Sequence, residues 1–147
     1  MKAEELMIND LVMYNGEIYV IMGVYCKTGI VSLYPVYIKN KAGEYLLPIS
    51  PRAETVSPIP LTEEILKANG FKNYELHSWS LKEQWQWSVT VNLNENGSVI
   101  SIDKEIEGYK GVDSCHICYK GNVHELQHAL RLCGLNELAD NFKIKEE

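Results

Sequence analysis

Apolar and polar positions change places in short runs over the first 58 residues, and turn residues break each run. Residues 11–14 and 17–24 are two such runs, separated by Asn15-Gly16. Asn-Gly supplies the positive φ angles that a two-residue type I′ turn requires, so the pattern predicts a β-hairpin. Further β-branched and aromatic runs at 30–38 and 44–49, with Asn40-Lys41-Ala42-Gly43 between them, predict two more strands. A hairpin followed at once by further short strands is the pattern of an SH3-like barrel, in which closure removes exposed strand edges. Pro48, Pro51, Pro58 and Pro60 then crowd a stretch that no helix or central strand tolerates. They predict an extended connector and a lobe boundary after residue 58, giving a β-rich lobe at 1–58 and a second lobe at 59–147.

The second lobe opens with a helix marked at both ends. Thr62 is placed to cap it, Glu63 and Glu64 occupy its positive end, Leu61 and Leu66 have the spacing of a hydrophobic staple, and Gly70 suits the left-handed position after the last turn. Trp85, Trp87, Val89, Val91 and Leu93 alternate with polar residues, a period of two that makes a half-buried strand. Asn94-Glu95-Asn96-Gly97 turns the chain into a partner strand at 98–102, with further strands expected at 112–119 and 74–81. Asn122 and Glu125 have capping-box spacing ahead of a helix at 122–133, whose stripe is Val123, Leu126, Leu130 and Cys133. A short helical turn at 137–141 ends the chain. The expected class is α+β: a β-rich, SH3-like lobe and an antiparallel sheet lobe with two main helices.

Composition narrows the partners. A chain of 147 residues can bury enough surface to fold without disulfides or a structural metal. The net charge of -6 and the scatter of basic residues argue against general nucleic-acid binding. Met1-Lys2-Ala3-Glu4-Glu5 is acidic where a signal peptide would be basic, and no apolar run is long enough to span a bilayer. The expectation is a cytoplasmic protein with no membrane contact and with free thiols, of which Cys26 and Cys133 read as small core residues.

Two segments look like chemistry. His124-Glu125-Leu126-Gln127-His128 matches H-E-x-x-H, in which two histidines one helical turn apart ligate zinc and the glutamate serves as general base. Their flank lies opposite the apolar stripe and so faces a cleft or solvent. No third ligand follows at the usual spacing, where the chain has Arg131 and Gly134, and the capping box already explains Glu125. Cys115 and Cys118 form a C-x-x-C that could join His124 and His128 in a four-ligand set, but in an extended strand residues three apart point to opposite faces. The reading adopted is no cofactor, with zinc on His124 and His128 and catalysis by Glu125 as the alternative. Trp79, Trp85, Trp87 and His77 are the candidate ligand-binding residues, dense enough for a small-molecule pocket or a protein-binding face; without lysines or arginines beside them they do not suit nucleic acid.

The segments 6–19 (LMINDLVMYNGEIY), 58–66 with Asn69-Gly70-Phe71, and 123–130 (VHELQHAL) together resemble a family of small uncharacterised proteins from gut Bacteroidales genomes and their phages and mobile elements. That family carries no assigned activity and writes its closing motif with Gln as readily as Glu at the place of Glu125, which weighs against zinc chemistry. The resemblance implies a phage or mobile-element setting. The function expected is therefore a non-enzymatic cytoplasmic binding protein that acts on host machinery through a protein or small nucleotide ligand. A zinc-dependent hydrolase is the alternative.

Overall fold

The computed structural model describes the backbone of residues 1–83, 87–95, 97–105, 112–118 and 121–144, and the side chains of these except at 82, 83, 87, 104, 105 and 112–118. The chain is α+β with two antiparallel sheets, and it divides into two compact units, Met1–Ile59 and Pro60–Glu147.

In the first unit, β1 (Leu11–Tyr14) and β2 (Glu17–Tyr25) form the expected hairpin, with Asn15 and Gly16 at φ 49° and 80°. β3 (Ile30–Pro35) completes a three-stranded sheet in the order β1-β2-β3. It stops at Pro35, short of the expected residue 38, because proline has no N–H to continue the ladder. One face carries Val12, Tyr19, Ile21, Val31 and Leu33, which are buried with Ala3, Leu6, Ala53 and Val56 in one apolar cluster.

No regular strand forms at 44–49. Tyr45 and Ile49 make isolated bridges to Lys39 and Leu33, and Pro48 interrupts any ladder between them. The proline-rich stretch is more than a connector. Ile49 and Arg52 bridge to β3, the chain makes a 3-10 turn at Ala53–Thr55 that the sequence reading missed, and Ser57 bridges to Met13 on β1. Segment 49–57 thus touches both edges of the sheet, through bonds such as Leu33 N–H to Ile49 O at 2.8 Å and Ser57 N–H to Met13 O at 2.8 Å. These are single bridges, so the regular strands described form an open sheet and no closed barrel.

The second unit begins with α1 (Glu63–Ala68). Thr62 accepts a hydrogen bond from the Ile65 amide at 3.3 Å, as an N-cap should. At the other end Gly70 takes φ 82°, its N–H donates to Lys67 O at 3.0 Å, and the Phe71 N–H donates to Leu66 O at 3.0 Å, the paired bonds of a Schellman motif. The Glu64 carboxyl is held below its usual pKa, first by its own amide N–H and then by the Thr62 side chain, as expected for an acid in a first helical turn.

Five antiparallel strands follow in sequence order: β4 (Lys72–Glu75), β5 (Ser78–Glu83), β6 (Trp87–Asn94), β7 (Gly97–Glu105) and β8 (Val112–Cys118). The single strand expected at 74–81 is in fact a hairpin, because the chain reverses at Leu76-His77. His77 sits there at φ 66°, a conformation that costs a side chain with a Cβ about 1 kcal/mol or more. His77→Gly is therefore expected to raise unfolding stability by ~0.5–1 kcal/mol, read by urea denaturation; an unchanged or lowered midpoint would show that the imidazole contributes more than the strain costs.

Register aligns Trp79, Val91 and Ile100 in one row and Leu81, Val89 and Ile102 in the next, which makes the apolar face. The opposite face carries Ser80, Thr90 and Ser101 in one row and Ser88 with Asp103 in another. Val89 and Val91 are buried and Leu93 half-buried, while the side chains of Trp85 and Trp87 lie outside the described residues.

Helix α2 (Val123–Leu132) packs on β7, and α3 (Asn136–Asp140) folds back against α2. Glu125 Oε2 accepts from the Asn122 amide at 2.8 Å and from Asn122 Nδ2 at 3.1 Å, which closes the expected capping box. The tail after α3 is tied to α1 through Asn69. Its Nδ2 donates to Lys143 O at 2.7 Å and to Ile65 O at 2.8 Å, and its Oδ1 accepts from the Lys143 amide at 2.8 Å.

Candidate functional site

The H-E-x-x-H helix differs from its expected setting. His124 is only 5% exposed and Gln127 is fully buried, so this flank of α2 opens neither to solvent nor to a cleft at those positions. The reason is α3, which the helical wheel of α2 cannot reveal. Gln127 Nε2 donates to Ala139 O at 2.8 Å, and Arg131 pairs with Asp140 at 3.2 Å. The rings of His124 and His128 meet edge to face at 5.8 Å between centroids. Glu125, the candidate general base, is engaged at the helix cap. Among the described residues no group of three His, Cys, Asp or Glu side chains gathers where it could hold a metal.

The C-x-x-C positions fall on the strand expected for them, with one change. Ile102 pairs with Cys115 and Ser101 with His116, but Ile100 pairs with Cys118, so residue 117 is the extra residue of a β-bulge. The backbone stations of Cys115 and Cys118 therefore sit opposite two residues of one sheet face, where unbroken alternation would separate them. The side chains of both cysteines lie outside the described residues. Of the other two thiols, Cys26 is exposed, because it enters the turn between β2 and β3, which corrects the core position expected of it. Cys133 is half-buried, and burial pushes its thiol pKa up, which keeps it protonated and unreactive.

The candidate ligand residues separate as well. Trp79 is 3% exposed and belongs to the apolar face of the sheet, with Lys67 Nζ 5.3 Å from the centre of its ring. Among the described residues its Nε1 has no hydrogen-bond partner. His77 is exposed at the β4–β5 turn, so the two do not share a surface. A shallow cleft of about 400 Å³ in the second unit is lined by Pro60, Leu61, Asn94, Glu95, Ser98 and Asn122, among others. It lies at the start of α2, where the Asn122 amide that could meet an anion is already bonded to Glu125.

The surface that sequence reasoning missed is on the first unit. Ile21 pairs with Leu33 and Gly23 with Ser32, which makes Met22 the extra residue of a bulge in β2. Val20 and Tyr25 are five apart and would lie on opposite faces of a regular strand; the bulge brings them to one face. Since Val20 pairs with Tyr34 and Tyr25 with Ile30, both tyrosines stand on the side of the sheet away from the apolar cluster, 58% and 54% exposed. Between them lies the Gly23–Ser32 pair. A Cβ on Gly23 would stand 3.4 Å from Tyr25 Cε2 and 3.5 Å from Ser32 Cβ, so the small residue lets the Tyr25 ring lie down on the sheet. The rows of Tyr34 and Ile30 are four residues apart along β3, which leaves a shallow floor ~13 Å long between the two rings.

No protein-family model matches the chain, and no curated protein or solved structure matches it either.

Proposed function

We propose that the protein is a non-enzymatic binding protein whose first unit takes an extended segment of a partner polypeptide along the Tyr25–Tyr34 face. The observation that carries this reading is the pair of half-exposed tyrosines standing at either end of a floor made by Gly23 and Ser32. Aromatic-walled grooves suit polyproline II segments, because the preformed extended chain loses little entropy on docking and its ring faces stack on the aromatic walls. A floor of ~13 Å accommodates about four residues of such a chain at its 3.1 Å rise. The bridging of both sheet edges by segment 49–57 supports an SH3-like description of this unit, a resemblance of architecture that suggests the binding mode only by analogy. A phage or mobile-element setting, with a host protein as the partner, rests on the sequence resemblance alone.

Titration of the labelled protein with a panel of proline-rich peptides tests the proposal. The expected result is chemical-shift change centred on Gly23, Tyr25, Ser32 and Tyr34, with affinity reduced at least ~10-fold in Tyr25→Ala and Tyr34→Ala, as for aromatic anchors elsewhere. Shifts confined to the second unit, or binding unaffected by both substitutions, would overturn it. The zinc hydrolase reading is tested apart from this: stoichiometric zinc that is lost in a still-folded His128→Ala variant would displace the non-enzymatic reading.

A further inference from the structure

Beyond Pro35 the chain leaves the three-stranded sheet and doubles back on itself. Lys39 bridges to Tyr45, the Asn40 amide donates to Glu44 O at 2.9 Å, and the Leu46 amide donates to Ile38 O at 3.0 Å, so residues 36–47 form a short antiparallel ribbon. Its tip is stapled by Asn40, whose Oδ1 accepts from the amides of Ala42 at 3.0 Å and Glu44 at 2.9 Å while its Nδ2 donates to Glu44 Oε2 at 2.8 Å. A ribbon so well fixed could cover its apolar groups against the rest of the chain, and it does not. Ile38 is 75% exposed, Tyr45 68% and Leu47 69%, with Val36 and Tyr37 also exposed.

Alternation puts Tyr37, Tyr45 and Leu47 on one side of the ribbon and Val36 and Ile38 on the other, so turning over would hide only one of the two sets. Lys39 Nζ stands 4.5 Å from the Tyr45 ring centre and covers part of one face only. The bonding pattern makes Lys39 and Tyr45 a non-hydrogen-bonded pair within the ribbon, which directs their own N–H and C=O groups outward along its two edges. Exposed apolar edges of this kind are templates for pairing with another chain.

We propose that residues 36–47 are the surface through which two copies of this chain associate, ribbon edge to ribbon edge about a two-fold axis. Area favours a second copy. The five apolar side chains expose on the order of 600 Å² per chain, and two copies contributing the same patch reach the ~1,200 Å² at which specific interfaces begin. Symmetry adds a reason, since an isologous contact satisfies the same unpaired backbone groups on both copies at once. Charge does not oppose it: the chain carries -6 in all, but the ribbon carries Lys39 and Lys41 against Glu44, so contact here brings together the part of each copy that is not acidic. The contact is separate from the Tyr25–Tyr34 face and stands or falls independently of it.

Sedimentation velocity from ~1 to ~100 µM tests the proposal, because an interface at the small end of the specific range corresponds to micromolar dissociation. A reversible monomer–dimer equilibrium is expected, together with protection of the Lys39 or Tyr45 amide from hydrogen exchange that is lost on dilution. The double variant Ile38→Glu, Leu47→Glu is expected to be monomeric throughout with an unchanged circular dichroism spectrum, since neither side chain is buried in the chain itself. A wild-type protein that stays monomeric across the range overturns the proposal. So does a dimer that forms with both amides unprotected, which needs no variant to fold.

Discussion

Asn69→Ala is expected to destabilise the protein by ~2–4 kcal/mol, the range for removing a buried side chain whose partners are then left unpaired. Three bonds depend on this one amide group: two donated to the carbonyls of Ile65 and Lys143 and one accepted from the Lys143 amide. Asn69 is itself only 5% exposed, so water cannot readily replace the lost partners. Its φ is -104°, an ordinary value, which means the loss reflects hydrogen bonding and not relief or creation of backbone strain. Asn69→Asp is the informative companion, because it retains an acceptor for the Lys143 amide but offers no N–H to either carbonyl. It should also be destabilised at neutral pH. Urea denaturation of both variants measures the effect, and a loss under ~0.5 kcal/mol for the alanine variant would show that the tail does not depend on this group.

Gly121→Ala is expected to cost ~1–3 kcal/mol, the usual range for an overpacked core. A Cβ at this position would stand 2.6 Å from both Cδ1 and Cγ1 of Ile100 and 3.4 Å from Ser98 O. Ile100 is fully buried on the apolar face between Val91 and β8, and the Gly121 amide donates to Ser98 O at 2.6 Å, so neither partner can easily yield. The glycine is required here by close approach and not by a left-handed φ. A double-mutant cycle separates this from a backbone effect. Ile100→Ala alone should cost ~2–5 kcal/mol as a cavity, but the pair should be less destabilised than the sum, because each change supplies what the other lacks. Strict additivity would show that the clash is relieved elsewhere.

Local chemistry made much of the chain legible. Asn15-Gly16 fixes the first hairpin through the positive φ of both residues, and Thr62 with Gly70 marks both ends of α1. Asn122 and Glu125 announce the start of α2, and they also account for the glutamate of H-E-x-x-H. In each case the signal is a short-range hydrogen bond or a backbone preference, satisfied by residues within a few positions of one another.

What the sequence obscured has one physical cause in two places. Period-two reasoning assumes an unbroken ladder, and a bulge inserts one residue that the residue pattern does not reveal. At Met22 the insertion carries Tyr25 to the face of Tyr34 and makes the proposed binding surface. At residue 117 it puts the backbone stations of Cys115 and Cys118 opposite Ile102 and Ile100, against the expectation of opposite faces.

The sequence by itself thus determined the α+β class, the capped helices and the first hairpin of this protein, because those depend on neighbours in the chain. Only the tertiary structure decided that the flank of α2 bearing His124 is covered, since the covering residues Ala139 and Asp140 belong to another helix. It also decided that segment 49–57 bridges both edges of the first sheet and that the exposed aromatic surface belongs to the first unit, with Trp79 in the core of the second. These outcomes rest on pairing between residues distant in sequence, where one shifted register reassigns every side chain beyond it.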